Sequence, residues 1–144
     1  MKATVWIDGA SRGNPGEAGF GVLAEHGDEQ SEICGFLGRT TNNVAEYAAL
    51  LAALSWAERE GVEELELYSD SQLLVRQFTG AYKVKAPHLV PIFLRMLEIK
   101  RAIPRVVAHH VPREKNRHAD LLANRAIDER ISPPDWISLD QPTT

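Results

Sequence analysis

Cysteine is almost absent from this sequence of 144 residues, which contains a single one, Cys34. A lone thiol cannot form a disulfide within the chain. Residues 1–7 are followed by Asp8 and are too short for the core of a signal peptide. No apolar run approaches ~18 residues, the length that a membrane-spanning helix needs. Together these absences predict a cytoplasmic protein that does not enter a membrane.

A strong net charge is also absent. The 16 Lys and Arg residues against 20 Asp and Glu residues give a formal charge of −4, which argues weakly against a partner held by bulk electrostatics alone. Apolar residues make up 44% and charged residues 25% of the chain, and these values exclude a disordered, collagen-like or coiled-coil protein. The length suits one domain. We predict a domain over residues 1–130 and a proline-rich tail over residues 131–144.

The hydrophobic pattern predicts three strands, a helix, a strand, two helices, a strand and a last helix. The predicted strands cover residues 2–8, 18–26, 31–40, 63–69 and 105–111, and the predicted helices cover about 43–60, 71–79, 89–101 and 116–130. Glycines predict a turn over residues 9–16 and a hairpin at residues 27–28. Because the last two strands are entered through helices, they should be parallel to the strand beside them. This predicts an α/β fold: a five-stranded mixed sheet, three antiparallel strands then two parallel, with helices on both faces.

Four acidic residues occupy positions that are unusual for solvent-facing charges, although each has an ordinary local explanation. Asp8 ends a buried strand before a glycine, as turn residues often do. Glu46 can complete a capping box with Asn43 at the start of the first long helix. Asp70 can cap the helix that follows the fourth strand. Asp120 lies in the first turns of the last helix, where negative charge suits the helix dipole.

The four carboxylates have a different meaning when they are considered together. Asp8 and Asp70 end strands that the topology places side by side, and Glu46 and Asp120 open helices that pack on the same sheet. Carboxylates that converge in this way repel and raise each other's pKa values. A divalent cation removes the conflict, and an oxygen-only ligand set suits Mg²⁺ or Mn²⁺ rather than Zn²⁺.

Four stretches that contain these acids resemble type 1 ribonuclease H, and they occur in the order of that family. They are residues 8–16 (DGASRGNPG), 41–46 (TNNVAE), 69–72 (SDSQ) and 116–123 (NRHADLLA). The match runs from residue 1 to about residue 129. The resemblance implies a ribonuclease H-like fold and an endonuclease that hydrolyses the RNA strand of RNA/DNA hybrids. The products would carry 5′-phosphate and 3′-hydroxyl ends.

The resemblance also implies the roles of individual residues. Asp8, Glu46, Asp70 and Asp120 match the positions that hold two Mg²⁺ ions, with Mn²⁺ able to replace Mg²⁺. In that family one ion activates the attacking water and the other stabilises the leaving 3′-oxygen.

The partner implied by the resemblance is the RNA/DNA hybrid, and we expect the chain to act as a monomer. Asn14, Asn42, Asn43 and Gln72 match positions that line the minor groove of the hybrid. Amide groups suit this contact because they both donate to and accept from 2′-hydroxyls, which distinguish RNA from DNA. Thr41 matches a residue that holds a DNA phosphate, with Asn14 nearby. The same polar residues also fit ordinary turns and helix caps.

The sequence departs from the family in two regions. Residues 80–88 replace a long basic protrusion that some members carry, although Tyr82, Lys83 and Lys85 can still contact phosphates. The loop after Val111 and Pro112 is several residues shorter and lacks the histidine that many members place there.

Glu114, with Arg113 beside it, lies nearest to the position of the missing histidine and is a candidate for helping product release. Glu114 can equally pair with a neighbouring Lys or Arg on a solvated loop. His109, His110 and His118 receive no functional role, and His110 fits a core histidine.

Two other functions stay open at this point. One is a hybrid-binding module without catalysis, although such a module has no need for four carboxylates beside phosphates. The other is a DNA strand-transfer nuclease on the same fold, since a fold does not fix a function.

Overall fold

The computed structural model describes residues 1–80 and 83–137 of the chain. Its strands are β1 (Lys2–Gly13), β2 (Gly16–His26), β3 (Glu29–Thr40), β4 (Glu64–Ser69) and β5 (Arg105–His110). Its helices are α1 (Asn42–Arg59), α2 (Gln72–Phe78), α3 (Val90–Arg101) and α4 (Arg117–Asp128), with a 3₁₀ turn at Arg113–Lys115. The order of elements agrees with the prediction.

The five strands form one mixed sheet in the order β3-β2-β1-β4-β5. β1, β2 and β3 pair antiparallel, whereas β4 runs parallel to β1 and β5 runs parallel to β4. The predicted sheet is therefore confirmed. The hairpin between β2 and β3 is confirmed as well, because His26 pairs with Glu29 and Gly27 adopts a positive φ of 60°.

The predicted turn over residues 9–16 is wrong, since β1 continues to Gly13 and pairs there with Gly16. Only Asn14 and Pro15 connect the two strands. Gly9 therefore lies within β1, where it pairs with Phe20, and does not form a turn. A Cβ atom at Gly9 would overlap the backbone of Ala45 and Glu46, so the missing side chain lets the start of α1 lie directly against β1.

Helices cover both faces of the sheet, as predicted. The main core lies between one face and the alanine-rich α1, whose residues 47–57 are all buried. Phe20 and Val22 of β2 point into this core, and Gly21 between them points to the opposite face. There a Cβ at Gly21 would overlap the backbone of α4. Among the described residues, no helix is both long and apolar enough to cross a membrane.

The part of the predicted tail that the structure describes, residues 131–137, lies on the core. The amide of Phe36 in β3 donates to the carbonyl of Ile131 at 2.6 Å. Ile137 is buried, and the guanidinium of Arg59 lies 4.9 Å from the ring centre of Trp136. These contacts attach the segment to the domain. The boundary at residue 130 stays a prediction, and residues 138–144 and Tyr82 lie outside the described residues.

We expect Gly9→Ala to destabilise the protein by about 2–3 kcal/mol, near the upper end for overpacking a well-packed site. The new methyl group can be accommodated only if α1 moves away from β1, because the neighbouring atoms belong to backbone. Urea unfolding measures the loss. Gly27→Asn is the matched control: its site is open, and asparagine tolerates a positive φ. Equal stabilities of the two variants would contradict the close approach.

Candidate active site

Two neighbouring strands bring Asp8 and Asp70 together. β1 and β4 are parallel, and Ile7 pairs with Ser69 at the end of their shared ladder. Asp8 and Asp70 are the next residues along each chain, so both lie at the carboxyl edge of the sheet, where sites form in α/β folds. Asp8 is only 7% exposed. Its position inside β1 rules out the explanation of Asp8 as a turn residue.

Helix α1 adds a third carboxylate to this edge. Carboxylate oxygens of Asp8, Glu46 and Asp70 all lie within 4.8 Å of one another. The close contact between Gly9 and the backbone of Glu46 explains how the glutamate reaches the strands. These three acids, out of the four that the sequence predicts to converge, therefore form a compact group.

The capping roles that competed with this interpretation are wrong. The N-cap of α1 is Thr41, not Asn43, and its Oγ1 accepts from the amide of Val44 at 3.2 Å. Ser71, not Asp70, caps α2 by accepting from the amide of Leu74 at 3.2 Å. Thr41 and Ser71 thus accept hydrogen bonds from backbone amides in the first turns of α1 and α2. Neither Glu46 nor Asp70 is needed as a helix cap.

Burial and mutual repulsion favour the protonated forms of two of these acids. Burial, followed by the charge of Asp70 and the nearby Asp120 and Glu46, raises the pKa of Asp8 to about 9. Burial also raises the pKa of Glu46 to about 7, together with the charge of Asp70, while a hydrogen bond from Ser71 opposes the shift. A donor set of carboxylate oxygens under mutual repulsion fits a hard divalent cation such as Mg²⁺.

Asp120 lies beside the compact group without belonging to it. It occupies the first turn of α4, in agreement with the predicted dipole position. A hydrogen bond between the carboxyl groups of Asp8 and Asp120 contributes to the raised pKa of Asp8. The structure therefore brings the fourth predicted carboxylate to the same edge, in contact with the first.

Two residues that support the carboxylates were missed by the sequence analysis. The sequence predicts Asn116 only as a helix start, yet its side chain is buried and its Nδ2 donates to the carbonyl of Ile7 at 2.8 Å. This bond joins the start of α4 to β1 one residue before Asp8. Ser71 was also missed, although it caps α2 and hydrogen-bonds to Glu46. The only signal was that both lie inside the matched motifs.

The predicted hybrid-binding residues lie around this edge. Oδ1 of Asn14, in the β1–β2 connection, accepts from the amide of Asn42 at 3.1 Å. This bond joins the connection to the segment that contains Thr41 and Asn43. Asn42, Asn43 and Gln72 are exposed, and Gln72 opens α2 two residues after Asp70. Contact of these residues with nucleic acid stays a prediction.

Glu114 and Arg113 line one open cleft together with Asp120 and neighbouring residues of α4. Both lie in the 3₁₀ turn and are exposed. Within the described residues Glu114 has no ion pair, so its pairing with a neighbouring Lys or Arg is not observed. The interpretation of His110 as a core histidine is wrong, because His110 is exposed at the end of β5.

The other two histidines pair with glutamates on the surface. His109 hydrogen-bonds to Glu66, and His118 lies 2.5 Å from a carboxylate oxygen of Glu32. These contacts account for both side chains without a role in the carboxylate cluster.

Comparisons with known proteins agree with this geometry. A family model described as "Reverse transcriptase-like" matches residues 7–126. A bifunctional protein of Mycobacterium tuberculosis is 41% identical over 131 residues, which cover 89% of this chain and 36% of the relative. The chain thus spans about a third of that relative's length.

Two solved structures resemble the fold over nearly their whole length. RNase H1 of the halophilic archaeon Halobacterium salinarum is 42% identical with a TM-score of 0.84, over 90% of this chain and 99% of that one. LC11-RNase H1, solved in complex with an RNA/DNA hybrid, is 43% identical with a TM-score of 0.83, over 88% and 97% of the two chains.

The raised pKa values predict how pH affects the stability of the metal-free protein. Folding favours the protonated forms of Asp8 and Glu46, so their contribution is fully present below the unfolded pKa values, about 4. This contribution is lost as pH rises through about 7 and then about 9. A divalent cation should therefore raise the melting temperature more at about pH 8 than at about pH 5. Thermal melts in EDTA and in Mg²⁺ measure both effects.

Asp8→Asn removes the carboxyl group with the largest shift and is the decisive variant. In EDTA at about pH 8 it should melt above the wild type, and it should lose most of the gain from Mg²⁺. Asp28→Asn, in the exposed β2–β3 hairpin, is the control and should behave as the wild type. Equal pH dependence of the wild type and of Asp8→Asn would show that folding does not raise the pKa of Asp8.

Proposed function

The chain belongs to the type 1 ribonuclease H family, and we propose that it is an endonuclease that hydrolyses the RNA strand of RNA/DNA hybrids. The products carry 5′-phosphate and 3′-hydroxyl ends. The observation that carries this proposal is the group of Asp8, Glu46 and Asp70 at the carboxyl edge of the sheet, with Asp120 in contact. The hybrid complex of LC11-RNase H1, at 43% identity, supports the choice of substrate.

Asp8, Glu46, Asp70 and Asp120 are proposed to hold two Mg²⁺ ions, which Mn²⁺ can replace. When bound, the ions supply an activated water and charge stabilisation at the leaving 3′-oxygen. The chain's own residues set the positions of the ligands. Ser71 donates a hydrogen bond to Glu46 and favours its charged form, and the parallel pairing of β1 and β4 fixes the spacing of Asp8 and Asp70.

The grip on the hybrid is proposed to come from neutral amides. Because Oδ1 of Asn14 accepts the amide of Asn42, the Nδ2 of Asn14 is left to donate to a 2′-hydroxyl or a phosphate. Asn42, Asn43 and Gln72 are exposed beside the carboxylates and suit the minor groove. Thr41 contributes to holding a DNA phosphate at the same helix start. The cytoplasmic location and the monomeric state stay predictions.

A cleavage assay with labelled RNA/DNA, RNA/RNA and DNA/DNA duplexes and single-stranded RNA in Mg²⁺ tests the function. We expect cleavage of the RNA strand of the hybrid alone, and a loss of more than about a hundredfold in Asp70→Asn. Because Asp70 does not cap α2, the variant should keep its stability within about 1 kcal/mol. Asp28→Asn is the control and should keep full activity.

The same assay separates the alternatives. Binding of the hybrid without cleavage by the wild type would indicate a binding module, and cleavage of DNA duplexes at a comparable rate would indicate a strand-transfer nuclease. Near wild-type turnover of Asp70→Asn would contradict the metal-site assignment.

Glu114 and Arg113 are proposed to assist product release from the cleft that they share with Asp120. Glu114→Ala should lower kcat by several-fold to about a hundredfold, which reaches only the lower end of the contribution of one positioned acid–base group. KM should hardly change. Lys115→Ala in the same turn is the control. Should His110→Ala reduce kcat while Glu114→Ala does not, the role belongs to His110, whose exposure predicts little loss of stability.

A further inference from the structure

A chain of side-chain contacts leads from the β1–β2 hairpin to the carboxylate of Asp120. Nδ2 of Asn124 donates to Oδ1 of Asp120 at 3.2 Å and to its carbonyl oxygen at 3.0 Å. Nη2 of Arg12 donates to Oδ1 of Asn124 at 3.3 Å. Nη1 of Arg12 lies 2.6 Å from Oδ1 of Asp128. Arg12 and Asn124 are 112 positions apart in the sequence.

The chemistry of these groups fixes the direction of the Asn124 amide. A guanidinium only donates hydrogen bonds, so the oxygen of the amide must face Arg12. The amide nitrogen is then directed to Asp120, which as a carboxylate only accepts. Asp128 holds Arg12 in place through the ion pair, and none of the three partners can reverse its role while Asp120 is ionised.

An amide is suited to this position because it is neutral. It orients one oxygen of Asp120 without bringing a full positive charge to the edge of the sheet, so the carboxylate keeps its charge for a cation. A Lys or Arg at position 124 would compete with a bound cation instead. Hydrogen bonds of this kind to metal-ligating carboxylates commonly set metal affinity and activity by factors of 10–100.

We propose that the Arg12–Asn124 pair positions Asp120, so that a contact from the β1–β2 hairpin sets the direction of this metal ligand. The proposal rests on the proposed function insofar as Asp120 is a metal ligand. Arg12 lies two residues before Asn14, which is proposed to contact the hybrid. The pair therefore connects the substrate-binding hairpin to α4. Arg12 and Asn124 are positioning residues, since neither contacts the reacting atoms.

Two substitutions of Asn124 separate positioning from stability. Asn124→Asp keeps an acceptor for Arg12 and turns the contact into an ion pair, but it cannot donate to Asp120 and repels it. Asn124→Ala removes both side-chain contacts and leaves only the contact of Nη2 of Arg12 with the backbone carbonyl of residue 124, at 3.5 Å. Arg125→Gln is the matched control, because it removes an exposed ion pair with Glu129 on the same helix, at 3.1 Å, away from Asp120.

We expect both Asn124 variants to lower kcat on the hybrid by about tenfold or more, with KM within about twofold of the wild type. Thermal melts in EDTA should show both variants folded, and Asn124→Asp keeps the side-chain contact with Arg12 that Asn124→Ala loses. Calorimetric titration of the substrate-free protein with Mn²⁺ should show about tenfold weaker binding by Asn124→Ala. In an Asp120→Asn background, Asn124→Ala should cause no further loss of Mn²⁺ affinity. Arg125→Gln should match the wild type in kcat and in Mn²⁺ binding.

Three results would overturn the proposal. The first is a finding that both Asn124 variants have kcat values and Mn²⁺ affinities within about twofold of those of Arg125→Gln. The second is recovery of activity in Asn124→Asp, which would show that only the attachment to Arg12 matters. The third is an equal loss of Mn²⁺ affinity with and without the Asp120 carboxylate. If the wild type cleaves no hybrid, the proposed function is contradicted but the positioning role is not. The Mn²⁺ titrations test that role independently of cleavage.

Discussion

Three carboxylates that repel one another lie together at the edge of the sheet, and the fold has to hold them there against this repulsion. Oxygens of Asp8, Glu46 and Asp70 lie within 4.8 Å of one another, and burial strengthens their repulsion. The scaffold holds them through contacts that do not depend on the charges. Parallel backbone pairing fixes Asp8 beside Asp70, and Gly9 lets the backbone of Glu46 reach the strand. Burial first, and the charges of neighbouring carboxylates second, raise the pKa values of Asp8 and Glu46 in this geometry.

The hydrogen-bond donors that support the carboxylates are neutral. In a cluster with a purely structural role, Lys or Arg side chains would be expected in their place. Ser71 donates to Glu46, Asn124 donates to Asp120, and Asn116 attaches the start of α4 beside Asp8. Among the described residues, no Lys or Arg contributes to the shifted pKa of Asp8 or Glu46. A fixed ammonium or guanidinium would neutralise the carboxylates permanently. Neutral donors orient the carboxylates and leave their charge available to the proposed cation.

The order of elements, the sheet and the convergence of the carboxylates could be predicted from the sequence because each follows from local pattern and connection rules. The errors arose where tertiary contacts decide. Gly9 belongs to a helix contact rather than a turn, and Ile137 of the predicted tail is buried in the core. Asn43 and Asp70 are good capping residues, yet Thr41 and Ser71 occupy the caps. A contact such as Arg12–Asn124 leaves no local pattern, because its partners are far apart in the chain.

The same preference for neutral groups extends to the proposed contacts with the hybrid. The side chains proposed to contact the hybrid are four amides and one hydroxyl, and the chain carries a net charge of −4. Contacts from neutral groups release few counterions, so they add little salt-dependent affinity. Lys83 and Lys85 are exposed, but they stand where some family members carry a longer basic element. Affinity for a hybrid would then depend mainly on the shape of the minor groove and its 2′-hydroxyls, and on cations that screen the phosphates from the carboxylates. For such a protein, the divalent cation would be part of substrate binding as well as of the reaction, because phosphate and carboxylates repel until a cation lies between them.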